Sequence, residues 1–428
     1  ARGAAAAAAA GGRPAAAARR DEAERRRGKE GEQPEPQAAV ARSTQMLRMA
    51  AGRGDMAGCK RWLHRVKAAG LEATWAMFHA PMGACSKAGD PEACEEWFQL
   101  MLKEGPAPTV VSYAMVIHAH ARQGNTVRAE YWLRRLLDSG IELDVVPFHS
   151  LIHAYSVRGD GLGAATWLEE MRKRGLAPSV KAYTSVISAF AKARDIDGAE
   201  YWMEEMGPAG VEPNMMTYSA VIDACAKAGD LQRAEHWHCR MVEAGVQPSA
   251  HTYTTIINAV SRQSGSAAEM VEVTERWLQK ARESGITPDS VLYSCAIDAV
   301  GKTGDADRAW RLFEEMLERG VRADCVAYSA VARPFAYRGD LAKVDEIAAH
   351  MAKAGVTPTD YFVYAQLLAC AVAQPRQPER AEQHFLESLR QGVMVNDHTL
   401  SVLVRAVGRE RCAELLRQAG IRRSVPHA

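Results

Sequence analysis

The chain has 428 residues, 47% of them apolar and 25% charged, with a formal net charge of +1. That total is too balanced to announce a polyanionic partner, so any such case must rest on where the charges sit. Nine cysteines, an odd number with no Cys-x-x-Cys pair, argue against a disulfide framework or a zinc knuckle and fit a reducing compartment, and no apolar run approaches the roughly 18 residues of a membrane-spanning helix.

Residues 1–39 differ from the rest. Alanine runs fill Ala4 to Ala10 and Ala15 to Ala18, and Arg2, Arg13, Arg19 and Arg20 all precede the first acid, Asp21. Such a segment has too little apolar surface to build a core, so a disordered tail is expected. Its Arg-rich, acid-free start resembles an organellar transit peptide, although it contains no Ser or Thr. Mitochondrion or plastid is the expected location; a plain tail is the alternative.

Beyond the tail the sequence is periodic. Trp62, Trp97, Trp132, Trp167, Trp202 and Trp237 recur every 35 residues, and Trp277 follows after 40. Glycine keeps the same beat, from Gly70, Gly105 and Gly140 through Gly210 and Gly245 to Gly355 and Gly392. A fixed period of this length marks stacked helical repeats. It divides the chain into ten units: 40–74, 75–109, 110–144, 145–179, 180–214, 215–249, 250–289, 290–324, 325–359 and 360–396. A partial capping unit at 397–421 and a tail at 422–428 follow. The seventh unit has five extra residues near Ser264 to Ala268, and the tenth has two around Pro375 and Pro378.

Each unit reads as two helices. In 215–249, Tyr218, Val221, Ile222 and Cys225 fall on one helical face. Gly229-Asp230 marks a turn, and Ala234, Trp237 and Met241 make a second stripe. Gly245 and Pro248 then end the second helix. Small residues recur where Ala234 sits (Cys59, Cys94, Ala129, Ala164, Ala199, Ala309, Ala381), as close helix approach demands. One such pair cannot bury its stripe alone, but stacked pairs can. The expected fold is all-α: a right-handed α-α superhelix, or solenoid, of about ten 35-residue helix-turn-helix repeats with an inner groove. The tryptophans, on the second helices, are expected to pack between units. Pro81 and Pro334 should disturb two first helices.

The stretch MMTYSAVIDACAKAGDLQRAEHWHCRMVEAGVQPS (215–249) resembles the pentatricopeptide repeat, and units 180–214 and 290–324 resemble it equally well. The resemblance covers about residues 40–421. The tetratricopeptide repeat has 34 residues and a different ending. The repetition also resembles the repeat region of protein-only ribonuclease P, whose aspartate-rich nuclease domain is not expected in this chain. The resemblance implies single-stranded RNA as the partner, one base per repeat, in organellar RNA processing, stability or translation.

Near the end of each first helix sits one basic residue: Arg53, Lys87, Arg122, Arg158, Lys192, Lys227, Arg262, Lys302 and Arg338. Stacking should align these into a stripe, and evenly spaced cations suit evenly spaced phosphates. A cation there also favours the helix dipole, by about 0.3–1 kcal/mol. Recurrence in nine consecutive units exceeds what that preference enforces. Acid pairs such as Glu169-Glu170, Glu204-Glu205 and Glu314-Glu315 lie on the second helices and balance the total.

The family resemblance also implies base-reading residues at the fifth and last positions of each repeat. The last residues (Thr74, Thr109, Asp144, Ser179, Asn214, Ser249, Asp289, Asp324, Thr359, Asn396) are all good helix N-caps. Capping explains the restricted set, but not the choice within it. By the family's code Thr184 with Asn214 reads adenine, and Ser219 with Ser249 leans the same way. Thr254 with Asp289 and Ser294 with Asp324 read guanine, giving A, A, G, G from 5′ to 3′ along increasing residue number. Ser329 with Thr359 completes the candidate set, while His79, Ala114, His149 and Ala365, taken as fifth positions, are not standard readers.

No catalytic or phosphate-loop motif is present, and the deaminase signature H-x-E with a downstream C-x-x-C is missing. On a helix His236 and His238 point about 200° apart, so they and Cys239 should not share a metal. No enzyme activity, cofactor or metal is expected, and a monomer off the membrane is. The alternative is a scaffold or assembly subunit of an organellar ribonucleoprotein or ribosome, gripping RNA-processing or ribosomal proteins as well as RNA. A nuclease partner or truncated ribonuclease is the third reading.

Overall fold

The computed structural model describes residues 36–421 apart from 264 and 395. The expected tails at 1–35 and 422–428 lie outside the described residues. Among the described residues every regular element is helical, and no helix is long and apolar enough to cross a membrane.

The first helices of the units are α1 (Pro36–Gly52), α3 (Trp75–Ala88), α5 (Val110–Arg122), α7 (Val145–Arg158), α9 (Val180–Ala193), α11 (Met215–Ala228), α13 (Ala250–Val260), α15 (Ser290–Lys302), α17 (Cys325–Arg338) and α19 (Asp360–Val372). Their partners are α2 (Met56–Ala68), α4 (Pro91–Glu104), α6 (Thr126–Asp138), α8 (Gly161–Lys173), α10 (Ile196–Glu204), α12 (Leu231–Glu243), α14 (Ala267–Glu283), α16 (Ala306–Glu318), α18 (Leu341–Lys353) and α20 (Pro378–Arg390). The partial unit supplies α21 (Asp397–Val407) and α22 (Arg409–Gln418). This is the expected all-α helical-repeat architecture. The first helix begins at Pro36, ahead of the expected start at residue 40.

Local chemistry sets most boundaries. Asp230 caps α12 through the Arg233 N–H, and Gly229, at φ 80°, ends α11 in the left-handed conformation that glycine adopts without strain. The second helix of the fifth unit stops early, at Glu204, before Gly207-Pro208. The extra residues of the seventh unit are absorbed largely by a longer helix: α14 has 17 residues where α12 and α16 have 13. Pro81 and Pro334 do not end their helices; both lie buried inside 14-residue elements.

The chain forms two compact units, divided within α7 between Ala154 and Tyr155. In each, consecutive first helices lie side by side, and second helices pack against the first helix of their own repeat and that of the next. The recurring small residues are fully buried where the two helices of a repeat meet, and in the N-terminal unit the Cys59 and Cys94 thiols reach the backbone carbonyls of Leu47 and Met82 at 3.6 Å.

The tryptophans hold neighbouring repeats together. In the N-terminal unit the buried Trp132 meets Phe98 edge-on at 4.9 Å, and its indole N–H donates to Glu95 Oε1 of the preceding repeat at 2.6 Å. Arg128 and His120 bind the same carboxylate. Burial pushes that carboxyl up, but hydrogen bonds from Arg128, Trp132 and His120 outweigh it and bring Glu95 down to about 2. The C-terminal unit repeats the motif: Trp237 donates to Glu200 at 2.7 Å and Trp277 to Glu235 at 3.0 Å. Burying an indole requires a partner for its N–H, and a glutamate one repeat back supplies it.

Candidate nucleic-acid interface

From α3 to α17 the core takes the fourth, seventh, eighth and eleventh residues of each first helix, as Tyr218, Val221, Ile222 and Cys225 in α11. The second, fifth, ninth and thirteenth residues then share a different face, since they are spaced by three and four. In α11 these are Met216, Ser219, Asp223 and Lys227; in α15 they are Val291, Ser294, Asp298 and Lys302. One stripe therefore carries an apolar residue, a hydroxyl, an acid and a cation in order.

The apolar member of that stripe was not singled out in the sequence. Val111 and Val146 in the N-terminal unit, and Met216, Val291, Val326 and Tyr361 in the C-terminal unit, are 40% or more exposed. Their signal is legible in the sequence: an apolar residue recurring in most repeats at a position off the core stripe, with Lys181 and His251 as exceptions.

The last-position residues occupy the N-caps of the following first helices. Ser179, Asn214, Ser249, Asp289, Asp324 and Asn396 accept backbone N–H groups with their side chains. Capping uses one oxygen of each. In Asn214, Oδ1 accepts from Thr217 N at 3.1 Å, which turns Nδ2 away from the helix. In Asp289, Oδ1 accepts from Leu292 N at 2.9 Å, and Oδ2 makes no bond.

A third hydroxyl links some fifth and last positions. Thr184 Oγ1 lies 2.8 Å from Thr217 Oγ1, and the fully buried Thr217 hydroxyl donates to Asn214 Oδ1 at 3.1 Å. Ser219, Thr252 and Ser249 repeat the chain one unit on, at 3.5 and 3.2 Å. In the N-terminal unit His79, Ser112 and Thr109 do the same, with His79 Nε2 at 2.9 Å from Ser112 Oγ. Where Asp289 and Asp324 are the caps, the third residue is Leu292 or Ala327 and the relay is missing. There the fifth-position hydroxyls of Thr254 and Ser294 donate to backbone carbonyls and are only 8% and 4% exposed. Ser329 lies 3.5 Å from Thr359 without an intermediary.

The tenth unit corrects the sequence register. The cap Thr359 and the start of α19 at Asp360 make Tyr364, not Ala365, the fifth residue. Ala365 is 1% exposed and belongs to the core. The expectation followed the tyrosine that stands fourth in other repeats; here Val363 takes that place.

Seven of the nine cations lie in the last turn of a first helix, Arg53 and Arg262 stand one and two residues beyond its end, and several have work within the fold. Arg122 donates to the Lys87 carbonyl of the preceding repeat, Lys192 to Ser156 O at 2.9 Å, and Arg338 to Gly304 O at 2.8 Å. These bonds satisfy carbonyls that helix ends leave open. Lys227 pairs with Asp223 at 2.6 Å, and Lys302 with Asp298 at 2.8 Å. Arg158 is exposed at the end of α7. Arg53, Lys87 and Arg262 are exposed, and among the described residues their side chains make no hydrogen bond or ion pair.

Other reactive groups are spoken for by burial. Burial, then the nearby Lys280 charge, pushes His238 down to about 4, so it is neutral at pH 7 against Trp277 at 4.8 Å. Burial pushes the Cys225 thiol up to about 12, far from a reactive thiolate. Among the described residues no group of three His, Cys, Asp or Glu is arranged to hold a metal ion.

A family profile described as the pentacotripeptide-repeat region of PRORP matches residues 216–406. Profiles described as a pentatricopeptide repeat-containing protein and a pentatricopeptide repeat domain match 111–237 and 61–131. A sequence comparison with curated proteins gives no match. Among solved structures, the maize pentatricopeptide repeat protein PPR10 superposes with a TM-score of 0.62 at 21% identity, over 89% of this chain and 58% of that one. PPR10 in complex with an 18-nucleotide PSAJ RNA element gives 0.57 at 15% identity, over 88% and 60%. The chain thus spans less than two thirds of the length of either.

Proposed function

The chain belongs to the pentatricopeptide-repeat proteins, and from that premise we propose that it binds one strand of RNA along its first helices, selecting bases repeat by repeat. The observation that carries the proposal is the recurring stripe: an exposed apolar residue, a polar fifth position beside a polar cap, and a cation. An apolar surface stacks on a base face, polar caps address a base edge, and cations meet phosphate. From Thr184 to Lys192 is eight residues, about 12 Å of helix, a span on the scale of a nucleotide from base edge to phosphate. The solved PPR10–RNA complex supports the same partner class. The activity is binding, without bond-making, and the setting is organellar RNA processing, stability or translation.

The chemistry of the caps supports the A, A, G, G reading. Guanine offers N–H donors at N1 and N2, which suit the unbonded carboxylate oxygen of Asp289. Adenine offers an acceptor at N1, which suits the outward Nδ2 of Asn214. At Asp289 and Asp324 the carboxylate is the main contact, since the hydroxyl beneath is largely covered. RNA carrying 5′-AAGG should bind the full chain more tightly than its scrambled counterpart in fluorescence anisotropy, with affinity falling as salt rises. A chain indifferent to RNA at low ionic strength ends the proposal.

Two substitutions test the reading mechanism. Asp289→Asn keeps an N-cap of equal quality but turns an acceptor into a donor. The preferred base at the third nucleotide should change from guanine to adenine, by about tenfold or more for one well-formed pair of contacts, in a panel of four oligonucleotides differing there. An unchanged preference removes the code. Thr217→Val keeps the backbone cap on Asn214 but deletes the relay hydroxyl. Adenine selectivity at the first nucleotide should drop about fivefold, the worth of one hydrogen bond, while Thr217→Ser retains it. Equal selectivity in the valine variant would show that the relay is structural only.

A further inference from the structure

We propose that the N-terminal end of the repeat stack binds the sugar-phosphate backbone of the RNA strand upstream of the bases read in the groove. The site extends the RNA-binding reading above and rests on it.

Charge is spread unevenly among the repeats. The first, residues 40–74, has seven basic residues and two acidic ones, Asp55 and Glu72; in no other repeat do basic residues outnumber acidic ones by more than one. Among the described residues no repeat precedes it, so faces that meet a neighbour elsewhere are left open. In α11 the third, seventh and tenth residues, Thr217, Val221 and Ala224, are fully buried. Their counterparts in α1, with Thr44 as the fifth residue, are Arg42, Met46 and Met49, and the methionines are 38% and 46% exposed. Arg53 continues that face one turn on. On α2, Trp62 is half-buried, where Trp97, Trp132 and Trp237 are buried. Arg65 lies 4.9 Å over its ring, and Arg61, His64 and Arg65 share one exposed face at spacings of three and four.

Some of these cations are committed to the next repeat: Lys60 pairs with Glu96 at 3.2 Å and Lys67 with Glu104 at 2.5 Å. Arg61 reaches Asp55 at 3.4 Å on an exposed surface, where such a pair is weak. Arg42, Arg48 and Arg65 make no ion pair among the described residues.

A terminal repeat needs a polar outer face, but either sign of charge would serve. The last helix, α22, mixes Arg409, Arg411 and Arg417 with Glu410 and Glu414. Charge of one sign selects a polyanion. It disfavours two other occupants: residues 1–35 of the same chain hold eight basic against six acidic residues, and α22 of a second copy is also net basic. Arg48 stands beside Thr74 and His79 on the groove side, so the cationic end is continuous with the groove. With the 5′ end of the read sequence toward low residue numbers, the strand arriving here is the upstream one. Its phosphates meet the arginines, and Met46, Met49 and Trp62 offer surface to whichever base lies against them.

The test uses the full chain and a ten-nucleotide RNA, 5′-AAGG preceded by four nucleotides and followed by two, one for each repeat. Six uridines added upstream should tighten binding about tenfold at 0.1 M salt and steepen the salt slope by about 2, the share of about three phosphates. Six uridines added downstream should change affinity less than about twofold, and exchanging the upstream uridines for cytidines less than about threefold. Arg42→Gln, Arg61→Gln and Arg65→Gln together should remove the upstream gain and leave affinity for the ten-nucleotide RNA within about threefold, which also shows that the variant is folded. Arg42→Lys, Arg61→Lys and Arg65→Lys together should retain the gain. An RNA with 5-iodouridine as the third added upstream nucleotide should crosslink, on long-wavelength irradiation, within residues 36–67.

Equal binding of the short and extended RNAs, a downstream gain as large as the upstream one, or a gain that survives the three glutamine substitutions would overturn the site while leaving RNA binding intact. Crosslinks confined to residues 1–35 would overturn it too, by assigning the upstream strand to that segment. Failure to bind any RNA would remove both readings.

Discussion

Replacing Trp237 by alanine is expected to lower the stability of the chain by about 3–5 kcal/mol, the usual loss for a large aromatic removed from a packed core. Trp237 is 2% exposed, packs against Tyr218 at 6.5 Å between ring centres, and donates to Glu200 of the preceding repeat. Arg240 lies 4.7 Å over the same ring. The substitution thus removes apolar contacts, an indole–carboxylate bond across a repeat junction and a cation–π contact at once. In a stack of repeats each junction supports its neighbours, so the loss should spread beyond one unit. Urea denaturation followed by circular dichroism should show an earlier transition, with Trp237→Phe recovering part of the difference. The competing idea is that these tryptophans stack on RNA bases. It requires the opposite pattern: a variant as stable as the parent with weakened RNA affinity.

Neutralising Arg53, Lys87 and Arg262 together is expected to weaken binding of a ten-nucleotide or longer RNA about 100-fold at 0.1 M salt. Each phosphate contact on a single strand contributes about 0.7 to the slope of log affinity against log salt, so the slope should flatten by about 2. Among the described residues the side chains of these three have no bonding partner, so their loss should act on binding alone. Lys192 and Arg338 hold carbonyls of the preceding repeat, at 2.9 and 2.8 Å, and their loss mixes binding with stability. The thermal midpoint of the triple variant should match the parent's. An unchanged salt slope would mean that the recurring cations serve helix ends and not phosphate.

Those two sets of cations show where sequence reasoning stops. Their recurrence at one register is plain in the chain, and each stands at or just beyond the end of a first helix. The sequence offers no means of telling Arg262, which has no bonding partner among the described residues, from Arg338, which grips Gly304 and Asp307, because the partners lie a repeat away. The tenth unit is a second case. A tyrosine followed by alanine imitated the usual fourth and fifth residues, and only the cap at Thr359 fixed the true register.

The amino-acid sequence by itself determined the repeat length, the two helices of each unit, the capping residues and the buried tryptophan series. Each of these is written in spacings of a few residues, or in a period that needs no partner to be seen. Tertiary structure alone decided which glutamate meets each indole, which cations are bonded within the fold, and how Thr217 joins Thr184 to Asn214. Those outcomes depend on side chains about one repeat apart in sequence, and their proximity exists only after the helices have stacked.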